Sequence, residues 1–445
     1  MIENDAFKLL LINLFHLNPD DIANIFCTTF NKMMVLIVTL ADKHQACPYC
    51  GFTAPKIKEY VTKEITHSAL TTQKCIIKYR ARRYKCPCCG KTYYEFNPFV
   101  FKSQKISILT VHNILKDLKD FNETFTSVAR RYHVSPTSVS TIFDNHVDIG
   151  RNPLPEIINF DEVYAFKSEK SKYVCVLLDF KKQIPVDVLP NRKKEYLLNY
   201  FQKIPLEERK KVKYACSDMY EVYRDVVHKV FPEAKHLLDY FHLSQDFHKK
   251  MNEVRIKVMK GYKDDKASDE YYLLKKFNWL LFKNPEDEDK YGRLFDVERE
   301  RKYNSHFKSY MNYYDLRKKI LEINNDLTIC YSLKLELVDF YSKSTIDNAQ
   351  VNLEHLIRSF IDTNIEEMIK FSNNLINWKQ EIINSFTIVG TEYKVEADKG
   401  QVVVCNKKVN NAIIENRNKI IKCIKNNANG YTNWSRFRNR VMYVL

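Results

Sequence analysis

Four cysteines near the start of the chain occur as two matching pairs. Cys47-Pro-Tyr-Cys50-Gly51 and Cys86-Pro-Cys-Cys89-Gly90 share the pattern C-P-x-C-G. A C-x-x-C turn places two thiolates on one side of a tight loop, and the glycine after it lets the backbone turn. Two such turns supply the ligands of a tetrahedral site, so the sequence predicts Zn²⁺ held by Cys47, Cys50, Cys86 and Cys89. The alternative is a set of reduced core cysteines.

Carboxylates at the ends of predicted strands form a second candidate centre. Asp161 ends an apolar strand that starts at Ile157, and Asp218 follows a strand over 212–216. If these strands are neighbours, the two carboxylates lie side by side and can hold Mg²⁺ through oxygen ligands. Glu415, on the polar face of a late helix, is a candidate third acid. Considered one at a time, each aspartate could have only a structural role, and the glutamate could simply be exposed to solvent.

The order of the predicted elements indicates how these acids are positioned. Strands, helices and turns alternate over 156–243, as three antiparallel strands followed by strand–helix–strand units. This is the order of a ribonuclease-H-like fold, in which the first and fourth strands are adjacent. The remaining segments are a helical or mixed leader (1–46), a long helical stretch (245–385), a β-rich stretch (387–405) and final helices (409–445).

Residues 104–147 are predicted to form three helices, the last two as a helix-turn-helix. Val128 and Ala129 fall on one apolar face, and Ser135 and Pro136 suit the cap and first position of the last helix. That helix is expected to present Thr137, Ser138 and Ser140 to a major groove. The alternative is an ordinary helical hairpin. The basic run that contains Arg82 and Arg83 is either a phosphate contact or a solvated strand face.

Charge and hydropathy restrict the class of protein. Lys plus Arg number 71 and Asp plus Glu number 55, which gives a net charge of +16 and favours a polyanionic partner such as nucleic acid. Codon bias is the competing explanation. The longest apolar run, 33–41, is far shorter than the ~18 residues of a membrane span. The short apolar run and the acidic amino terminus together predict a cytoplasmic chain with no membrane partner. We expect its thiols to be reduced, and the protein to be nucleoid-associated when bound to DNA.

Taken in order, these motifs resemble those of bacterial DDE transposases of the ISL3 insertion-sequence family along nearly the whole chain. The two cysteine turns come first, with Arg82-Arg-Tyr-Lys-Cys86. The other segments that carry the resemblance are Asp161-Glu162-Val-Tyr-Ala-Phe166, Val186-Asp-Val-Leu-Pro-Asn-Arg192, Ser217-Asp218-Met219, Asp239-Tyr-Phe-His242-Leu243, Asn411-Ala-Ile-Ile-Glu415-Asn-Arg-Asn418, Ile421-Lys422 and Gly430-Tyr-Thr-Asn433-Trp-Ser-Arg-Phe437-Arg438.

The resemblance implies a function and a role for each site. Asp161, Asp218 and Glu415 match the catalytic triad, which would hold Mg²⁺ or Mn²⁺ for DNA strand cleavage and strand transfer of an insertion sequence by two-metal phosphoryl transfer. The amino-terminal modules would bind double-stranded DNA at the element's terminal inverted repeats, and the enzyme would act on target DNA as a homo-oligomer. Asp239 and His242 are supporting candidates, and Glu162 or Asp239 is the next choice for the third acid.

These inferences define an expected organisation. The fold class is α/β: a ribonuclease-H-like mixed sheet with a large helical insertion, preceded by a zinc-ribbon-like module and a helix-turn-helix. The expected domains are a zinc-binding domain (1–95), a helix-turn-helix domain (96–150), the first part of the catalytic core (151–245), a helical insertion (246–400) and the C-terminal part of the core (401–445). The rival functions are a catalytically silent DNA-binding regulator derived from a transposase, and a resolvase or nuclease without transposition.

Overall fold

A computed structural model describes residues 2–43, 46–102, 104–166, 171–395 and 402–445. Its contacts divide the chain into two units. The first comprises Met1–Arg151, Tyr164–Ser168 and Lys419–Leu445, and the second comprises Asn152–Val163 and Glu169–Asn418. The sequence had assigned all of 401–445 to the catalytic core, whereas the residues from Lys419 onward group with the first unit.

The first unit begins with a sheet. After helix α1 (Ile2–Leu14) and a short 3₁₀ turn (Pro19–Asp21) come strands β1 (Ile22–Phe30), β2 (Met33–Leu40), β3 (Lys56–Thr66), β4 (Cys75–Lys85) and β5 (Thr92–Tyr94). The strand order is β1-β2-β4-β3, with β5 paired to β4. β2 and β4 run parallel, while β3 and β4 run antiparallel. Phe15, Leu36 and Ile77 are fully buried beneath this sheet and form part of its core.

Four helices pack together in another part of the first unit. They are α2 (Ile108–Asp117), α3 (Phe125–Arg131), α4 (Pro136–His146) and, from the end of the chain, α16 (Trp434–Val444). Val128, Ala129 and Phe143 are buried in the core of the predicted helix-turn-helix. Tyr443 of α16 packs against that core, with its ring 5.7 Å from that of Phe143. This apolar contact explains why the last residues belong to the first unit.

A mixed five-stranded sheet forms the centre of the second unit. Its strands are β6 (Ile157–Val163), β7 (Val174–Asp179), β8 (Pro185–Leu189), β9 (Tyr214–Ser217) and β10 (Lys235–Leu238), and its helices are α5 (Lys194–Gln202), α6 (Leu206–Arg209) and α7 (Glu221–Val230). The order is β10-β9-β6-β7-β8. β6, β9 and β10 run parallel, and β7 is antiparallel to both β6 and β8. The first and fourth strands of this sheet, β6 and β9, are therefore neighbours.

A mostly helical segment follows β10. Its helices are α8 (Tyr240–Lys260), α9 (Asp269–Lys276), a 3₁₀ turn (Asn278–Phe282), α10 (Tyr313–Glu322), α11 (Asn325–Lys343), α12 (Ala349–Ile361), α13 (Glu366–Asn377) and α14 (Lys379–Asn384). Two small hairpins interrupt it, β11 (Glu288–Asp289) with β12 (Gly292–Arg293) and β13 (Lys302–Asn304) with β14 (Ser309–Met311). Antiparallel strands β15 (Ile388–Val395) and β16 (Val402–Lys408) then lead to helix α15 (Ala412–Asn427). Within the described ranges, no helix has the length and apolar character of a membrane span.

Candidate active site and metal centres

The sheet of the second unit aligns three aspartates at one edge. On β6 and β9, Asn159 pairs with Cys216. On β9 and β10, Ser217 pairs with Leu238. Continuing both registers by one or two residues places three acids level with one another at the carboxyl ends of adjacent parallel strands: Asp161, Asp218 and Asp239. The carboxyl edge of parallel strands is where ligands bind in open α/β sheets.

Burial and mutual repulsion perturb these carboxyl groups. Removal from water raises the pKa of Asp161 to about 7, and the negative charge of Asp218 adds to this effect. Burial likewise raises the pKa of Asp218 to about 7, followed in importance by the charge of Glu162. Burial also raises the pKa of Asp239. Carboxyl groups that disfavour one another's ionisation in a dry cleft are a common feature of catalytic sites.

Helix α15 brings Glu415 to the same cleft. Glu415 has a carboxylate oxygen within 4.8 Å of ligand atoms of Asp239 and His242. One turn further along the helix, Asn418 donates its side-chain amide to Oδ2 of Asp161 over 2.7 Å. Because residues three apart share a helix face, both side chains point toward the sheet edge. The structure thus brings Glu415 together with the Asp239–His242 pair, a group that does not include Asp161 or Asp218. Asp161 is contacted from the same helix by Asn418.

A buried amide cluster fixes the start of α15 against the sheet. Asn411 is fully buried, and its backbone N–H donates to Oδ1 of Asp239 at 3.3 Å. Its side-chain amide donates to the carbonyl of Phe160, while its Oδ1 accepts from Asn159 at 2.7 Å. The sequence analysis assigned no role to Asn159, although a polar residue inside an otherwise apolar strand is a usable signal for a buried polar contact.

Glu162, the alternative third acid, has a different environment. Its carboxylate forms an ion pair with Arg192 and accepts the hydroxyl of Tyr223 at 3.2 Å. The Arg192 guanidinium also lies over the rings of Tyr220 and Tyr173, at 4.8 and 4.7 Å. Glu162 is therefore already paired with a cation, which weakens its case as a metal ligand.

Among the aspartates and the histidine of the site, three side-chain atoms lack a hydrogen-bond partner within the described part of the chain. They are Oδ1 of Asp218, Oδ2 of Asp239 and Nε2 of His242, all buried. Nε2 of His242 lies 3.8 Å from Oδ2 of Asp239. Buried polar atoms are rarely left unsatisfied, and carboxylate oxygens are the ligands that Mg²⁺ and Mn²⁺ prefer. The residues present therefore fit a divalent cation.

Comparison with known proteins places the chain in a family. The sequence model of the DDE transposase family of the ISL3 type, described as a transposase, matches residues 158–397, more than half of the chain. The chain belongs to the ISL3 transposase family. It is also 19% identical over 392 residues to a transposase for insertion sequence element IS1001 of Bordetella parapertussis, over 87% of this chain and 86% of that protein. The family and the enzyme class predicted from the sequence are confirmed.

In this ISL3 transposase, the four predicted zinc ligands lie together in the first unit. Their sulfur atoms are all within 4.8 Å of one another. Sγ of Cys47 is 3.7 Å from that of Cys89, and Sγ of Cys50 is 3.5 Å from that of Cys86. Four sulfurs at ~2.3 Å from one zinc ion would be about 3.8 Å apart, so the group fits Zn²⁺ with little adjustment. Cys88 is exposed and lies outside the group.

Both cysteine turns of the transposase have the same backbone geometry. The N–H of Gly51 donates to the carbonyl of Cys47, and that of Gly90 donates to the carbonyl of Cys86, each over 2.9 Å. The two glycines have φ of 74° and 69°, a region that disfavours residues with a Cβ. The backbone N–H of Cys89 contributes most to lowering the pKa of Cys86 to about 7. Cys86 therefore ionises more readily than an ordinary thiol, to the thiolate form that binds metal, whereas the pKa of Cys50 is raised to about 12.

The predicted recognition helix, α4, exposes only part of the expected set. Thr137 is exposed and Ser138 is half-buried. Ser140 is buried and donates its hydroxyl to the carbonyl of Thr137 at 3.0 Å, so the expectation that it faces solvent is wrong. Thr141 and Asn145, which the sequence analysis passed over, are exposed. They follow Thr137 at four-residue spacing, the signal that would have revealed them.

The two arginines of the basic run also differ. Arg82 donates to the carboxylate of Glu95 over 2.8 Å and to the carbonyls of Leu40 and Ala41. Its side chain is 14% exposed, so the guanidinium stabilises the module internally and offers little surface to a phosphate. Arg83 is more exposed, although it contacts a glutamate of the neighbouring strand. Of this pair, Arg83 keeps the better case for DNA contact.

Proposed function

We propose that this transposase cleaves and transfers DNA strands at the cleft formed by Asp161, Asp218 and Glu415, in a ribonuclease-H-like core. The observation that carries the proposal is the level placement of Asp161 and Asp218 on adjacent strands, with a helix distant in sequence bringing Glu415 and Asn418 toward them. Segments this far apart converge here on one set of oxygen ligands. The strand order β10-β9-β6-β7-β8 supports the assignment of the core.

Asp161, Asp218 and Glu415 would hold Mg²⁺ or Mn²⁺, with Asp239 and His242 beside them. When bound, the cations supply charge neutralisation at the reacting phosphate and activation of the attacking hydroxyl. The chain's own residues orient these ligands. Asn418 fixes one oxygen of Asp161, and supporting hydrogen bonds of this kind are usually worth 10- to 100-fold in metal affinity.

Residues beside the acids are suited to hold the DNA backbone. A cavity of about 410 Å³ next to Asp218 is lined by residues of α8 that include His242 and Lys249. Lys249 is exposed and forms no ion pair with an acidic residue in the described part of the chain. A lysine ammonium beside a carboxylate cluster attracts the phosphate backbone toward groups that would otherwise repel it. We assign Lys249 to binding the DNA backbone.

The first unit would recognise the element's ends. Zn²⁺ at the four cysteines would stabilise the sheet module, and α4 would enter the major groove of the terminal inverted repeats through Thr137, Thr141 and Asn145. Phosphate contacts from the positively charged surface would position it without reading sequence. Two DNA ends must be held together for strand transfer, so we propose a homo-oligomer on DNA, acting on double-stranded repeats and target DNA.

The test uses the full chain and the DNA that flanks its own coding region. With Mg²⁺, duplexes that carry the flanking inverted repeats should be cut at the repeat ends, and the released 3′ ends should join to a target plasmid. Asp218→Asn should abolish both steps while keeping DNA affinity. Asp225→Asn, a control at a half-exposed carboxylate paired with Lys194, should retain activity. Binding without metal-dependent cleavage by the unaltered chain would instead support the silent-regulator function.

A further inference from the structure

Three potential metal ligands converge in the second unit outside the catalytic cleft. They are His228 on α7, His236 on β10 and Glu381 on α14. One nitrogen or oxygen atom of each lies within 4.8 Å of those of the other two. His236 and Glu381 are 1% and 5% exposed, whereas His228 faces solvent. None of them belongs to the triad implied by the family.

The hydrogen bonds of His236 determine which of its nitrogens is free. The hydroxyl of Ser217 donates to the carbonyl of Asp218 at 2.9 Å, so it must accept from Nε2–H of His236, also at 2.9 Å. His236 is 1% exposed and lies near His228 and Arg224, an environment that disfavours a charged imidazole. A neutral imidazole with a proton on Nε2 carries a bare lone pair on Nδ1.

That lone pair faces another acceptor. Nδ1 of His236 is buried, has no hydrogen-bond partner among the described residues, and lies 3.9 Å from Oε1 of Glu381. Two buried acceptors that face each other without a proton between them are costly, and a cation between them removes that cost. The exposed imidazole of His228 completes the group on its solvent side.

We propose that His228, His236 and Glu381 bind a transition-metal ion, with Zn²⁺ the best fit. Imidazole nitrogens and a carboxylate are typical zinc ligands, and three protein ligands leave a fourth position for water. Ligand atoms around one zinc ion lie about 3.4 Å apart, so the three groups must approach one another by roughly 1 Å. The exposed side chain of His228 provides the freedom for that movement.

The site would also support the catalytic cleft, a consequence that rests on the proposed function. Ser217 bridges His236 and the backbone of Asp218, as outer groups commonly orient metal-bound histidines. The side-chain amide of Asn384 on α14 donates to the carbonyl of His236 at 2.9 Å, which ties the two ligand-bearing elements together. An ion there would hold Asp218 in position without contacting the DNA.

Metal content of the full chain tests the proposal directly. After purification with Zn²⁺ and removal of loosely bound metal, elemental analysis should give two zinc ions per chain, one at the cysteines and one here. His228→Ala and Glu381→Gln should each leave one. His355→Ala, a control at another exposed histidine of the same unit, should leave two. Circular dichroism should show that all three variants are folded.

A second measurement separates the two sites by their ligands. Co²⁺ in place of Zn²⁺ should give thiolate charge-transfer absorption from the cysteine site in every variant. A further weaker visible band should be lost only in His228→Ala and Glu381→Gln. The proposal is overturned if the unaltered chain takes up no metal beyond the cysteine site, or if both variants bind as much as the control. Neither readout requires transposition, so failure here is distinct from failure of the proposed function.

Discussion

Asn418 and Asp161 are separated by 257 residues in sequence, yet the amide of one donates to the carboxylate of the other over 2.7 Å. The second carboxylate oxygen of Asp161 accepts the backbone N–H of Glu162 at 2.7 Å. Both oxygens are thus oriented before any ligand binds. Orientation of a ligating carboxylate by a neighbouring amide costs nothing at the moment of reaction, because the hydrogen bond is made on folding.

Replacing Asn418 should weaken metal binding without changing the ligands themselves. For Asn418→Ala we expect cleavage to need about 10- to 100-fold more Mg²⁺ for half-maximal rate, because Asp161 loses its orienting amide. The measurement is the cleavage rate against Mg²⁺ concentration. Asn426→Ala, at an exposed position of the same helix, should behave as the unaltered chain. If both variants needed the same Mg²⁺ concentration, Asn418 would not be the residue that orients Asp161.

The third acid can be assigned by comparing two conservative variants. Glu415→Gln should reduce Mg²⁺-dependent cleavage by roughly three orders of magnitude, since loss of a metal ligand removes several kcal/mol of transition-state stabilisation. Asp239→Asn should reduce it less, because Asp239 also accepts the N–H of Asn411 and an amide oxygen can still do so. Single-turnover rates at saturating DNA give the comparison. The reverse ranking would make Asp239 the third ligand.

Zinc at the cysteine site should be a condition for DNA binding. Cys86→Ser should lose one zinc ion per chain and lower the affinity for duplex DNA, because structural zinc contributes folding energy outright. Cys88→Ser changes an exposed thiol in the same turn that lies outside the sulfur group, and it should keep both properties. Elemental analysis and gel-shift titration provide the two measurements. Loss of zinc from both variants alike would disprove the ligand assignment.

Sequence discrimination should depend on the exposed face of α4. Thr137→Ala should reduce the preference for the terminal repeat over unrelated duplex, by about 1 kcal/mol, while non-specific affinity and its salt dependence change little. Ser140→Ala removes a hydroxyl that is used inside the helix, so the preference should persist. Competition titrations at two salt concentrations separate these effects. A larger loss of discrimination in Ser140→Ala would mean that another face reads the DNA.

A buried lysine gives the helical segment a predictable pH dependence. Burial lowers the pKa of Lys334 to about 7, against 10.5 for the unfolded chain. Between these values the unfolded chain binds more protons, so stability rises with pH, by roughly 2 kcal/mol from pH 7 to 9. Lys334→Met should abolish this rise, as measured by urea denaturation. Lys343→Met, at an exposed position of the same helix, should retain it.

The strands, helices and strand-end acids of the core were predictable because their signals are local. A short apolar run predicts β6, two alternating runs predict β7 and β8, and Ser135 caps α4 as its sequence suggests. The position of His133, where glycine is commoner, has a φ of 55° in the turn before α4. Each of these features depends on a residue and its immediate neighbours, which a single sequence contains.

The features that escaped prediction depend on partners far away in sequence. Arg82 belongs to a basic run, but Glu95 on another segment determines where it points. Asn159 is recognisable as a polar residue inside an apolar strand, but its partner Asn411 is 252 residues away and is identified only by the fold. Tertiary contacts determine the partners of these side chains, and local sequence propensity does not predict such contacts.

The helix that completes the predicted DNA-recognition bundle is far from the other helices of the bundle in sequence. Arg436 of α16 contacts Asp144 of α4 over 2.5 Å across 292 residues of sequence. Arg440, almost fully buried, donates to the carbonyls of Asp120 and Glu123. At the usual ~5–20 residues per second, a ribosome needs roughly 15 to 60 s to synthesise the intervening chain. During translation the bundle therefore stays incomplete until α16 has been synthesised, and the proposed binding of DNA through α4 would have to wait for that helix.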